Sequence, residues 1–285
     1  IIVRRKTVIS NLLARLPRLG AGLSYRSSYH EQLLQHQHNI DFVEVIADDY
    51  LFAPADKLAE LESLTEHFTI IPHALNLSLG SADGVSDEYL NQISRLVRQL
   101  HPPWWSEHIG YTRAGGIEIG RPAPLPFTRE AIDVVARNMV TVRRKIAAPV
   151  ILENVDHKFE VPGGEMPEDE FVSELLGWGG CGMLLDVAGF YSHTVDRGRD
   201  PHEMVQQLPL DRIVQLHFSD EGEAGSPASK PPDRHELWKL LEAVIVAAPV
   251  RGIVVEQNDK FSSIEGILDC IGRAREIGQR HDRWN

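Results

Sequence analysis

Cysteine is almost absent from this chain: only Cys181 and Cys270 occur in 285 residues. Two thiols cannot build the disulfide framework on which small oxidised folds depend, so the fold has to stand on its apolar core. A reducing cytoplasmic compartment is the expected setting, with both thiols as buried packing residues. Long apolar stretches are missing as well, since no uninterrupted run approaches the ~20 residues that cross a bilayer. The sequence therefore predicts no membrane partner. Cationic charge is in deficit, with 29 Lys and Arg against 41 Asp and Glu and a formal net charge of −12. That balance offers no broad positive field to a phosphate backbone and excludes nucleic acid as the expected partner.

A targeting signal is also missing from the opening residues. Arg4, Arg5 and Lys6 stand ahead of Val8, Ile9, Leu12 and Leu13, but Asn11 and Arg15 break the run and no small-residue cleavage site follows. Residues 1–19 are expected to form an amphipathic N-terminal arm, ahead of one domain over residues 20–285.

What is present is a regular alternation. Short apolar runs rich in β-branched residues predict eight strands: Ala21 to Tyr25, Phe42 to Ile46, Thr69 to Asn76, Trp104 to Ile109, Val150 to Val155, Gly182 to Val187, Ile213 to Phe218 and Gly252 to Glu256. Helical patterns lie between them, over Lys57 to His67, Asp87 to Leu100, Arg129 to Ile146, Asp169 to Trp178, His235 to Ala248 and Ser263 to Gly278. Asp56, Ser86, Thr128 and Ser262 precede four of these helices as candidate N-caps. Eight units in 285 residues is about 36 residues per unit, which fits a closed α/β fold, the (β/α)8 TIM barrel, better than an open sheet.

In such a barrel the chemistry projects from the C-terminal ends of the strands. Those ends carry Glu44 and Asp48, then His73 and Asn76, Glu107 and His108, Glu153 and Asn154, Asp186, His217 and Asp220, and finally Glu256, Gln257 and Asn258. Glu107 and His108 are neighbours on one strand and point to opposite sides, so only one of them faces the site. His193, His157 and Asp196 are expected in loops. A Gly-, Ser- and Pro-rich stretch, Glu221 to Pro232, leads into Asp233-Arg234-His235, an Asp-x-His pair able to bring a carboxylate and an imidazole to one cation. This many buried carboxylates would repel one another without a counter-charge. Carboxylates and imidazoles without thiolates suit zinc, manganese or iron, and more than one ion resolves the repulsion.

The strings GAGLSYR (20–26), DFVEV (41–45), HALNLSLGS (73–81), SEHIGY (106–111), PLPFT (124–128), ILENV (151–155) and LLDV (184–187) resemble the multinuclear non-heme iron-dependent oxidative enzymes, of which the methanobactin biosynthesis oxidase is a familiar member. The resemblance runs from about Gly20 to Asn258. It implies a xylose-isomerase-like TIM barrel that holds two or three iron ions (Fe2+/Fe3+) and acts with O2 on cysteine residues of a ribosomal precursor peptide, delivered by a partner protein. It further implies His73, His108, Glu153, Asp186, His217, Asp233, His235 and Glu256 as ligands. Asp186, His217 and Glu256 then stand at the centre of catalysis, and Asn154, Asp220 and Gln257 orient the imidazoles. Tyr25, Arg26 and Asn154 are the candidate contacts to substrate. Where many members read LLDVNN and later NHG, this chain reads LLDVAG (184–189) and Asp196-Arg197-Gly198, which makes His193 the candidate to replace a lost ligand. The wider superfamily shares a similar ligand order with different chemistry, so the alternative is a zinc- or manganese-dependent hydrolase or isomerase. A binding module with a structural metal is the third reading.

Overall fold

The computed structural model describes residues 12–155, 161–220, 233–256 and 264–284. Eight parallel strands close into a barrel: β1 (Gly20–Ser24), β2 (Phe42–Ile46), β3 (Thr69–His73), β4 (Trp105–His108), β7 (Val150–Glu153), β8 (Gly182–Asp186), β9 (Ile213–Phe218) and β10 (Gly252–Val255), in sequence order around the ring. The helices outside it are α1 (His30–Gln35), α2 (Asp48–Leu51), α3 (Ala55–Thr65), α4 (Asp87–Leu100), α5 (Arg129–Lys145), α6 (Glu168–Gly179), α7 (Val187–Asp196), α8 (Pro201–Val205), α9 (Arg234–Ala247) and α10 (Ile264–Arg280). No described helix is long and apolar enough to cross a membrane.

All eight expected strands occur, each within a few residues of its expected ends. The expected helices occur too, and two of their caps work as read: Ser86 Oγ accepts from Tyr89 N, and Thr128 Oγ1 accepts from Ala131 N. Asp56 does not cap, because α3 begins earlier, behind Pro54, and Asp56 falls in its first turn. Ser262 lies outside the described residues, as do Arg4, Arg5, Lys6, His157, Gln257, Asn258 and the stretch Glu221 to Pro232. His193 and Asp196 lie in α7 and not in loops, since the helix starts directly behind Asp186.

A two-stranded hairpin is inserted after β4, made of β5 (Gly110–Ala114) and β6 (Ile117–Pro124). Its turn needs left-handed backbone at two successive residues, supplied by Gly115 (φ +58°) and Gly116 (φ +76°), the requirement that selects glycine in two-residue hairpin loops.

Strand alternation sorts the barrel interior into layers. Phe42, Ile71, Trp104, Ile151, Leu184, Val214 and Val254 form a buried apolar layer inside the ring, closed below by Leu13 and Leu16. Two residues further along, the same inward face carries Glu44, His73, Ser106, Glu153, Asp186 and Glu256. The outward faces of the strands pack on the helices in the main core. One irregularity matters to the site. Between β8 and β9 the register moves from Met183↔Ile213 to Leu184↔Gln215, so Val214 is one extra residue in β9. Such a bulge re-aims the side chains beyond it, and Gln215 and His217 turn inward.

Candidate metal centre

Glu153 is the middle of the site. It ends β7 beside His108 of β4, its register partner, and it is buried. Its Oε2 lies 3.4 Å from His73 Nε2 and 3.3 Å from His108 Nε2, while its Oε1 lies 3.1 Å from His217 Nδ1. The rings of His108 and His217 sit 4.9 and 5.3 Å from that of His73. His73 is steered from behind by Ser106 Oγ, 2.8 Å from Nδ1. His217 meets Glu44 Oε1 through Nε2 at 2.8 Å and Glu256 Oε1 through Nδ1 at 3.2 Å.

Two sets of donor atoms are each compact enough for one cation: His73, His108 and Glu153, and Glu44, His217 and Glu256, the atoms of each set within 4.8 Å of one another. Glu153 Oε2 is buried without a hydrogen-bond partner, although both imidazoles approach it. A buried acceptor left in that condition costs about 1–3 kcal/mol, and a cation seated between the carboxylate and the imidazoles removes that cost. The residues therefore fit a metal.

Burial and charge compete across the cluster. Burial resists charge on His108, but Glu153 and then Glu107 outweigh it and hold the pKa at about 8. Burial likewise opposes charge on His217, yet Glu256, Glu44 and Glu153 lift it well above the ordinary histidine value. His73 goes the other way, to about 4, because burial outweighs Glu153 and Glu44. Burial pushes the Glu153 carboxyl upward, and His217, His108 and His73 overcome it and hold it far below the usual range. Without metal the cluster carries its positive charge as protons.

The structure gathers His73, His108, Glu153, His217 and Glu256. Between Glu107 and His108, the imidazole faces the cluster, whereas Glu107 accepts from Leu77 N at 2.9 Å and from His108 N at 2.7 Å. Asp186 is the register partner of His217, with Oδ1 accepting from Ala188 N and Gly189 N at 3.0 and 3.1 Å as the cap of α7. Asn154 Oδ1 accepts from the Asp186 backbone N–H at 3.0 Å. His193 contacts Glu168 at 3.3 Å with Arg197 against its ring. Asp233 is exposed and caps α9 through His235 N at 2.9 Å, and His235 is exposed as well. Tyr25 is buried, its hydroxyl bonded to Glu60 and to His30 Nδ1, while Arg26 is exposed. Asp220 holds Arg234 at 2.7 Å and Cys270 at 3.2 Å. Sequence reading places Glu44 at a strand end without making it a ligand, and it misses Gln215 altogether. The spacing Phe42-x-Glu44, with Phe42 inward, was the available signal for Glu44.

The closed ring of eight parallel strands with helices outside it is a TIM barrel, and the solved structures that share its fold are xylose-isomerase-like barrels. The chain superposes on D-psicose 3-epimerase from Clostridium cellulolyticum H10 with TM-score 0.57 and 11% identity, covering 92% of this chain and 98% of that one. A xylose isomerase-like TIM barrel protein from Mycobacterium smegmatis, solved in complex with magnesium, gives TM-score 0.58 and 10% identity, over 94% and 98%. Within that fold, residues 20–279 match the RiPP precursor modification enzyme family MbnB/TglH/ChrH, and the chain belongs to it. Relatives include UPF0276 proteins of Anaeromyxobacter, 32% identical over 91% of this chain and 93% of that one, and of Caulobacter vibrioides, 27% identical over 90% and 93%.

Proposed function

We propose that this protein is a multinuclear non-heme iron enzyme that uses O2 to modify cysteine residues of a ribosomally made precursor peptide, presented by a separate partner protein. The observation that supports the reading most directly is the sharing of Glu153, which turns one oxygen to His73 and His108 and the other to His217. Two cations would then stand on either side of one carboxylate, in a member of a family that modifies ribosomal peptides. His73, His108 and Glu153 would hold one ion. Glu153, Asp186, His217 and Glu256 would hold the other, with His193, Asp233 and His235 as candidates for a third at the rim.

Iron, when bound, supplies redox chemistry with O2 and a seat for the substrate thiolate. The chain's own residues supply orientation and exclusion of water. Ser106 fixes the ring of His73, Asn154 fixes the backbone of Asp186, and the apolar layer beneath the cluster keeps water out from below. Tyr25, Arg26 and Asn154 are proposed to contact the peptide.

The test is metal analysis of anaerobically purified protein, followed by O2 uptake with a cysteine-containing precursor peptide and with its serine counterpart. At least two ions per chain, iron among them, and uptake with the cysteine peptide alone are expected. Active protein with one zinc and no iron would overturn the iron reading, and turnover of a sugar with manganese and no O2 would favour an isomerase.

A further inference from the structure

A narrow cleft opens at the foot of the inserted hairpin. Leu125 and Phe127 line it from the segment after β6, Asn154 and Val155 from the end of β7, and Glu168 and Phe171 from the start of α6. Its walls are fixed. Ile109, which also lines it, donates its backbone N–H to Glu153 O at 2.8 Å, and Gly110 O accepts from Gly80 N at 2.8 Å. Gly110 has no room for a Cβ, which would stand 2.7 Å from Ala123 O and 3.3 Å from Val155 Cγ2. The rings of Phe127 and Phe171 lie 5.0 Å apart. The free volume is about 20 Å³, room for one water-sized group such as a methyl.

The lining and the location together indicate what that group is. A buried water makes about three hydrogen bonds, whereas seven of the nine lining side chains are apolar, so the cleft is lined for hydrocarbon. Its two polar residues lead to proposed metal ligands. Asn154 follows Glu153 in the chain and accepts from Asp186 N at 3.0 Å, and Glu168 Oε2 lies 3.3 Å from His193 Nε2. A peptide whose cysteine reaches the metals has its next residue ~3.8 Å further on, Cα to Cα, the same step that separates Glu153 from Asn154. Because the Asn154 amide oxygen serves Asp186, its N–H2 is the end left to donate to a peptide carbonyl. We infer that this cleft is a size-limited subsite for the small aliphatic side chain of the peptide residue next to the modified cysteine.

The inference rests on the peptide reading of the site and adds to it a preference at one position, for a side chain the size of alanine or valine. A glycine leaves the cleft empty. An aromatic ring exceeds the space, and a carboxylate meets like charge on Glu168. One methylene too many or too few in an apolar pocket changes selection by ~10–200-fold.

Calorimetry of zinc-loaded protein with two series of blocked pentapeptides, Gly-Xaa-Cys-Gly-Gly and Gly-Gly-Cys-Xaa-Gly, tests the subsite without iron or O2. Xaa is Gly, Ala, Val, Phe or Asp. In at least one series Ala and Val are expected to bind ~10-fold or more tightly than the other three. Val155→Phe, which fills the cleft, is expected to remove that preference, and Phe127→Ala, which widens it, to bring the Phe peptide level with Val, both at wild-type zinc content. Equal binding of all five residues in both series of the wild type, or tightest binding of Gly, Phe or Asp in both, would overturn the subsite whether or not the variants fold. The wild-type preference kept intact in both variants would overturn it as well. Wild type that loads zinc but binds none of the cysteine peptides would overturn the peptide reading together with the subsite, whereas peptides that bind regardless of Xaa overturn the subsite alone.

Discussion

His108 and Glu153 are register partners on neighbouring strands, and their facing atoms, Nε2 and Oε2, lie 3.3 Å apart. The same carboxylate serves His217 on its other side, which makes it the residue most exposed to test. Glu153→Gln is expected to remove at least one metal ion per chain and to abolish turnover while the barrel stays folded. Elemental analysis and circular dichroism check both halves. Unchanged metal content would separate Glu153 from the metal.

Metal uptake should be coupled to pH. His108 is held at about 8 and must lose its proton to bind a cation, so the affinity of its site should rise as pH increases toward 8 and flatten above it. Stability of the metal-free protein should run the opposite way. A histidine whose folded pKa lies above its unfolded value near 6.5 contributes fully below about 6.5, and that contribution fades as pH rises through 8. Its size is on the order of 2 kcal/mol, from roughly 1.4 kcal/mol per pKa unit. Thermal melts with and without zinc between pH 6 and 9 would reveal opposite slopes, and parallel slopes would contradict the pairing.

Gly189 is held to glycine by its neighbour: a Cβ there would stand 2.2 Å from Asp186 Oδ2. Gly189→Ala is expected to drive the Asp186 carboxylate out of its capping position. Loss of such a cap costs ~1 kcal/mol, visible as a lowered melting temperature, and metal content measured on the same variant reports whether Asp186 is a ligand. An unchanged melting temperature would show that the contact relaxes without cost.

Asp233 separates two roles by one atom exchange. Asn caps a helix as well as Asp, so Asp233→Asn should leave stability within about 0.5 kcal/mol, whereas Asp233→Ala should cost ~1 kcal/mol. If Asp233 also holds a third ion, Asp233→Asn lowers metal content despite unchanged stability. Full metal content and rate in both Asp233→Asn and His235→Ala would leave Asp233 as a cap alone.

The strands were legible because a fully buried parallel strand reads as an apolar run, and Phe42–Ile46 and Ile213–Phe218 fall where that pattern puts them. The hairpin at Gly110–Pro124 was not, since residues 117–121 are exposed and carry no buried face to impose a period. The turn from Asp186 straight into α7 hid for a related reason: Val187 and Ala188 continue an apolar run whose change of conformation leaves no mark in composition. At the site, the strand-end histidines stood out by type. Gln215 did not, because the extra residue Val214 shifts the inward face and no local signal announces a bulge. Glu44 was visible as a buried carboxylate, but its meaning depends on residues from two other strands.

The apolar layer of Phe42, Ile71, Trp104, Ile151, Leu184, Val214 and Val254, sealed by Leu13 and Leu16, makes the barrel a cul-de-sac. Among the described residues, His73 and His217 therefore have packed hydrocarbon and no passage on the side of Leu13 and Leu16, which leaves the strand ends as the side from which they are approached.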